Sequence, residues 1–264
     1  MKVFILTSSL KGTAAHHLPI LLGSETIKVE GVIFGGTSSV SFNQSFRRRF
    51  NKIKKIGILG ALNGIRMREW YRSELYFSKK VKPLDLLCQE FNIPFYNLES
   101  TNSKETLEVI DNLDSDLGIS LGNAYISEDI LVRPKHGMIN VHHEELPDYQ
   151  NAQSIIWQIY NYSSYSGFTI HKMNKHIDEG DVLYKKRVKI NFKKSLKETV
   201  SFNYNNLIEL SALGLLELIE SYDLFNSEAR PQGKGKKYTT PSIKQMFRIY
   251  KNFKLLKDKI ITAS

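Results

Sequence analysis

The pattern that most constrains this chain is the alternation of short apolar runs with segments of helical periodicity. Residues 2–8, 27–35, 94–98, 117–121 and 138–141 are rich in Val, Ile, Leu and Phe and are bounded by Gly, Asn, Ser or Pro. Such runs read as buried strands. Between them, residues 16–22, 83–91 and 104–112 carry apolar side chains at helical spacing, for example Leu84, Leu87 and Phe91. A short helix is expected over 127–132 and another over 152–160. Two further strands are expected over 166–173 and 182–190, joined by a turn at 177–181, and then a long helix from Ser195 toward Tyr222. Asn102 with Glu105, and Ser195 with Glu198, have the spacing of capping boxes. The expected fold is α/β: a Rossmann-like, mostly parallel sheet with helices on both faces, followed by a β-hairpin, a long helix and a small C-terminal tail. Residues 1–223 are expected to form the main domain, with a basic insertion at about 43–82, and residues 224–264 a basic extension.

The fifth run ends in Asn140-Val141-His142-His143-Glu144-Glu145-Leu146-Pro147. Asn140 and His142 are two residues apart, so in a strand they share a face. At a strand's C-terminal end they point into the crevice where open parallel sheets hold ligands. The turn after the first strand, residues 8–13, has no Gly-x-Gly-x-x-Gly, which argues against a nicotinamide fingerprint. The Gly-rich tail at 231–241 lacks the Gly-Lys-Ser/Thr of a phosphate loop. Zinc is disfavoured too: a helical His-Glu-x-x-His is absent, and the adjacent His142 and His143 face opposite ways in a strand. No metal is expected. His16 and His17, also adjacent, are expected at the surface or on the substrate side.

One cysteine, Cys88, excludes a disulfide framework. It lies in an apolar helical stretch and is expected to be a buried thiol. No window has the apolar length of a membrane span, and the first residues lack the pattern of a signal peptide. Together these fit a cytoplasmic location.

The net charge of +10 is uneven. Residues 47–82 carry twelve Lys/Arg against two Glu, and residues 230–264 ten basic groups against one acidic, while 83–229 hold a net −10. Such asymmetry suits an anionic partner or a solvated basic face. Phe46, Phe50 and Ile53 share a helical face among the cations; that stripe is expected to pack on the domain, with a membrane surface as the alternative. Residues 57–64 are expected to be a turn-rich connector. Trp70, Tyr71, Tyr76 and Phe77 follow, and core packing is expected for them rather than base stacking.

Asn140, His142, Leu146-Pro147, Gly167-Phe168-Thr169-Ile170-His171 and Asp178-Glu179-Gly180-Asp181 occur in an order and spacing that resemble the folate-dependent formyltransferases. The resemblance covers roughly residues 117–190 and is most like the sugar N-formyltransferases. It implies N10-formyltetrahydrofolate as cosubstrate. It also implies that Gly122, Asn123, Ala124, Tyr125 and Ile126 cradle the pterin, largely through backbone groups, with Asp178 beside it. Asn140, His142 and Asp178 become the catalytic residues: Asn140 and His142 donating to an oxyanion, Asp178 pairing with His142 and taking the amine's proton through water. His171 takes a mainly structural place. No covalent intermediate is needed. His143 and Glu144 stand where the family has Pro-Ser, and Gln150 and Asn151 where it has Arg-Gly, which bears on the substrate more than on the reaction.

The acceptor expected is a nucleotide-linked amino sugar, since the tail is too short for the RNA-binding barrel of methionyl-tRNA enzymes; nucleic acid is disfavoured. Methionyl-tRNA and glycinamide ribonucleotide are the alternative acceptors, and a hydrolase releasing formate shares the fold. A non-enzymatic peripheral membrane- or RNA-binding protein is the contrasting class. A homodimer and membrane-surface association stay open.

Overall fold

The computed structural model describes residues 1–36, 42–72, 81–123, 125–151 and 153–262. Seven strands form one sheet: β1 (Lys2–Thr7), β2 (Lys28–Gly35), β3 (Phe95–Leu98), β4 (Leu117–Ser120), β5 (Met138–His142), β6 (Tyr165–Lys172) and β7 (Val182–Lys189). Their order is β3-β2-β1-β4-β5-β6-β7. The first five strands pair in parallel, and β6 and β7 extend the same sheet antiparallel. The chain reverses its direction of travel across the sheet between β1 and β4, which opens a crevice at their C-terminal ends.

Alternation along β1 divides the interior. Val3 and Ile5 enter a large core shared with α1 (Thr13–Leu21) and α7 (Leu196–Glu220). Phe4 and Leu6 enter a smaller one with Ile110 of α4 (Lys104–Leu113) and Ile130 of α5 (Glu128–Leu131). Most inward positions on both faces are apolar, as a sheet covered on both sides requires; Thr7, Ser120, Thr169 and His171 are the buried polar exceptions toward the strand ends that face the crevice. Cys88, in α3 (Leu84–Glu90), is buried, and burial pushes its thiol up to about 12.

Five expectations are corrected. Residues 57–64 are not a turn-rich connector: they are helical within α2 (Phe42–Arg72), whose one break is Gly57 at φ 75°. The glycines there permit close approach instead. A Cβ on Gly64 would lie 2.6 Å from Thr240 Cγ2, and one on Gly60 3.4 Å from Ser242 Cα. Of the expected stripe, Phe50 and Ile53 are less covered than a packed face requires, at 49% and 38% exposed, with Lys54 over the Phe50 ring; the Phe46 side chain, Tyr76 and Phe77 lie outside the described residues. The cap of α4 is Ser103, accepting from Thr106 N, rather than Asn102. His17 is not at the surface: it is fully buried in α1, where its Nδ1 donates to Thr13 O. The second capping box forms as expected, with Ser195 accepting from Glu198 N. The helix expected over 152–160 is shorter, α6 (Ile156–Tyr160), because Asn151 and Ile155 take positive φ.

The C-terminal residues join the large core. Tyr238 is buried there, as are Met246, Ile249, Phe253 and Leu256 of α9 (Ile243–Ile261), which packs on α6 and α2. Between α8 (Tyr222–Ser227) and α9 the chain runs as a strap that bridges to Gln150, in the loop after β5, and to Val182, at the start of β7. Among the described residues, no helix is long and apolar enough to cross a membrane.

Candidate active site

The antiparallel register of β5 and β6 builds the centre of the site. Asn140 lies opposite His171 and His142 opposite Thr169. Cross-strand partners on one face are close neighbours, and Asn140 Nδ2 sits 3.2 Å from His171 Nε2. His171 Nδ1 contacts the carbonyl of Lys172 at 2.8 Å, so Nδ1 carries the proton and Nε2 accepts from Asn140. Burial lowers His171 to about 4, helped by the neighbouring His142, which keeps this tautomer neutral. One amide N–H of Asn140 is thereby fixed and the other is left for the cavity. Thr169 fastens the loop that follows β5: its hydroxyl donates to Glu144 O and accepts from Leu146 N.

Asp178 stands at φ 58° in the loop between β6 and β7. Its Oδ2 accepts from Asn151 N at 2.9 Å and its carbonyl from Gln150 Nε2 at 3.1 Å. Its Oδ1 is 3.7 Å from His142 Nδ1 and 3.9 Å from His171 Nε2. His142 Nε2 is 3.1 Å from the carbonyl of Tyr149, which can only accept, so Nε2 carries the proton. His142 Nδ1 therefore faces the carboxylate bare, and a proton taken there would lie against Asp178. In this arrangement Asn140, rather than His142, holds an uncommitted donor.

The strap locks both loops. Gln150 N donates to Lys236 O, Tyr238 N to Gln150 O and Lys236 N to Pro147 O. Lys237 pairs with Glu179 at 2.8 Å, and Arg230 exchanges two backbone hydrogen bonds with Val182. A Cβ on Gly235 would meet the Gln150 side chain at 2.4 Å.

These groups line a cavity of about 730 Å³. One wall holds Gly122, Asn123, Tyr125 and Ile126, with Met173 to Ile177 beside them; Ala124 lies outside the described residues. The loop is tied by its carbonyls and side chains. Thr7 Oγ1 donates to Leu121 O, Ser8 Oγ to Gly122 O, Asn123 Nδ2 to Leu6 O, and Asn102 Nδ2 to Tyr125 O. The N–H groups of Gly122, Asn123 and Tyr125 have no acceptor among the described residues, and the buried Asn123 Oδ1 is unpartnered. This polar backbone edge fits a pterin, whose ring presents both donors and acceptors. Ile126 also belongs to the smaller core.

The other wall is formed by Thr13, Arg68, Tyr71, His143, Glu144, Ser154 and Tyr204. Tyr71 donates to Ser154 O and meets Tyr204 edge-on, and Tyr204 meets His143 the same way. His143 Nε2 is 3.1 Å from Ser211 Oγ, which is 3.2 Å from His17 Nε2. Burial lowers both histidines to about 3, so both are neutral at neutral pH.

Residues 75–206, half of the chain, match the family model described as formyl transferase. The chain belongs to the formyl transferase family. That span contains Asn140, His142, Asp178 and residues 122–126, but neither α2 nor the strap. A methionyl-tRNA formyltransferase of Thermotoga maritima is 30% identical over 164 residues, 62% of this chain and 51% of that protein. The bifunctional polymyxin resistance protein ArnA of Wigglesworthia glossinidia brevipalpis is 31% identical over 128 residues, 48% of this chain and 19% of that protein. The chain thus spans about half the length of the first of these relatives and less of the second. Among solved structures, the phosphoribosylglycinamide formyltransferase of Anaplasma phagocytophilum superposes with a TM-score of 0.58 at 13% identity, covering 90% of this chain and 99% of that one. The N-formyltransferase of Helicobacter canadensis, in complex with folinic acid and dTDP-3-aminofucose, gives 0.56 at 17% identity, covering 96% and 79%. At these identities the likeness is one of fold.

Several site residues escape a reading of the sequence. His171 looks structural until the β5–β6 register places it on Asn140. Gln150 and Asn151, expected at the substrate side, also hold Asp178. Arg68, Tyr71 and Tyr204 come from helices distant in sequence, and no local motif marks them.

Proposed function

We propose that this protein transfers a formyl group from N10-formyltetrahydrofolate to the primary amine of a nucleotide-linked amino sugar. The observation that carries the reading is the convergence of Asn140, His142 and Asp178 in one cavity beside a loop with free backbone N–H groups. In the transfer, the amine nitrogen bonds the formyl carbon and the carbon–N10 bond breaks. The amine loses one proton and N10 gains one, so no external acid or base is consumed. The free N–H of Asn140 donates to the oxyanion, a contact of a kind worth about 3–4 kcal/mol. His142 Nδ1 takes the amine's proton against Asp178 and passes it on.

The Helicobacter canadensis protein, whose complex holds dTDP-3-aminofucose, supports a sugar nucleotide as acceptor. Methionyl-tRNA is the second reading, favoured by the names of the sequence relatives and by the +10 charge. The test supplies N10-formyltetrahydrofolate with dTDP-3-aminofucose, methionyl-tRNA or no acceptor, and follows products by mass spectrometry. Formylated sugar that is lost in His142→Ala supports the proposal. Formyl-methionyl-tRNA alone moves the acceptor to RNA, and formate without any acceptor makes the protein a hydrolase.

A further inference from the structure

Beyond the catalytic centre, the wall built by α2 and the loop after β5 contains two groups whose hydrogen-bonding capacity the described residues do not fill. Glu144 is 1% exposed, yet it lines the cavity. Its Oε2 accepts from Gln158 Nε2, and Ser154 stands beside the carboxyl with its hydroxyl donating to His143 O, while Oε1 is buried with no hydrogen-bond partner among the described residues. A buried carboxyl oxygen left unpaired is costly, and native structures rarely keep one without a ligand or water to receive it. Burial also drives this carboxyl well above the usual carboxylate range, so it presents a neutral acid group. Arg68, one helical turn before Tyr71 on α2, lines the same cavity and makes no ion pair with any described residue. A guanidinium at a cavity edge is suited to a phosphate, which it can grip with two parallel hydrogen bonds. The lower part of this wall is rigid: the Tyr71–Tyr204–His143 chain and the Ser211 bridge hold it in one arrangement.

We propose that Glu144 and Arg68 select the acceptor: the Glu144 carboxyl hydrogen-bonds a polar group next to the reacting amine, and the Arg68 guanidinium receives the acceptor's phosphate. This rests on the function proposed above and narrows its substrate to a hydroxylated amine that carries an anionic group. Neither residue moves the transferred proton, so both act on acceptor affinity. Glu144 follows directly after the two histidines at the strand end, and Arg68 lies outside the span shared with the family model. The proposed selectors thus come from both inside and outside the span that the family model matches.

The test is steady-state transfer from saturating N10-formyltetrahydrofolate to dTDP-3-aminofucose, with 3-aminofucose lacking the nucleotide as comparison. In Arg68→Gln, KM for the sugar nucleotide rises about tenfold or more with kcat nearly unchanged, and the preference over the free sugar collapses. In Glu144→Ser, KM rises for both sugars, whereas Glu144→Gln stays near the native value because an amide reproduces the donor and acceptor of a neutral carboxyl. Calorimetric affinity for folinic acid is unchanged in all three, which separates acceptor selection from damage to the fold. Native KM values in either Arg68→Gln or Glu144→Ser, with folinic acid binding intact, overturn the proposal alone. A native protein that formylates neither sugar overturns the sugar reading, and the proposal falls with it.

Discussion

His142 and His143 are consecutive residues in two regions built on opposite rules. His142 belongs to the strand-end region, where a carboxylate stands 3.7 Å from one ring nitrogen and a carbonyl holds the other. His143 belongs to the α2 wall, packed against Tyr204 and Ser211, with no carboxylate ion-paired to it among the described residues. The first region provides for a proton to arrive and leave. In the second, neutral groups are linked from His143 through Ser211 to His17, whose Nδ1 donates to Thr13 O, and the Ser211 hydroxyl also reaches Ile208 O. What differs is the placement of charge, since the same side chain serves both ends.

The largest test of this contrast lies at the strand end. Asn140→Ala removes the one uncommitted donor and is expected to lower kcat by about 10²–10³-fold, with little change in folinic acid affinity. A smaller loss is expected for His171→Leu, which leaves the Asn140 amide in place but unoriented. A fall in kcat of roughly tenfold, with KM unchanged, would mark His171 as a positioning residue, and full activity would return it to a purely structural place.

The strap offers a third test. Gly235→Val drives a branched side chain into Gln150, so Asp178 loses one of its two anchors, the other being Asn151 N. Stability should fall by about 1–3 kcal/mol in urea titrations, and activity should fall at protein concentrations where folding is complete. Retained activity would show that the loops hold themselves.

The smallest effect is read from pH. His17 and His143 sit near 3 in the folded protein but titrate near 6.5 when unfolded. Between these values the unfolded chain binds more protons, so acidification through this window removes stability. The slope is up to about 1.4 kcal/mol per pH unit for each ring. Glu144 works in the other direction: its raised value makes the folded state the proton-richer one above pH 4.5. Glu144→Gln should therefore steepen the acid loss seen in urea titrations between pH 4.5 and 6.5. An unchanged slope would mean that Glu144 is ionised in the fold.

Much of this was legible in the chain. Period-two and helical patterns locate the strands and most helices, because a sheet covered on both faces leaves little freedom in its inward positions. Asn140 and His142 were readable as a pair because strand geometry places i and i+2 together. What escaped depends on distance. Gly60 and Gly64 look like turn formers, yet they lie in a helix that must approach Thr240 and Ser242, almost two hundred residues away. His17 resembles a surface histidine until α7 brings Ser211 to it. Asn102 has the spacing of a cap, but Ser103 is better placed, and Asn102 instead ties down Tyr125 and Ser127.

The strap also bears on how the molecule comes into being. Residues 230–238 are made after every strand of the sheet, yet they brace the loops that hold His142 and Asp178. A chain grown only as far as β7 contains Asn140, His142 and Asp178 but none of that bracing. The order of synthesis thus places the bracing of these loops after the sheet that carries them.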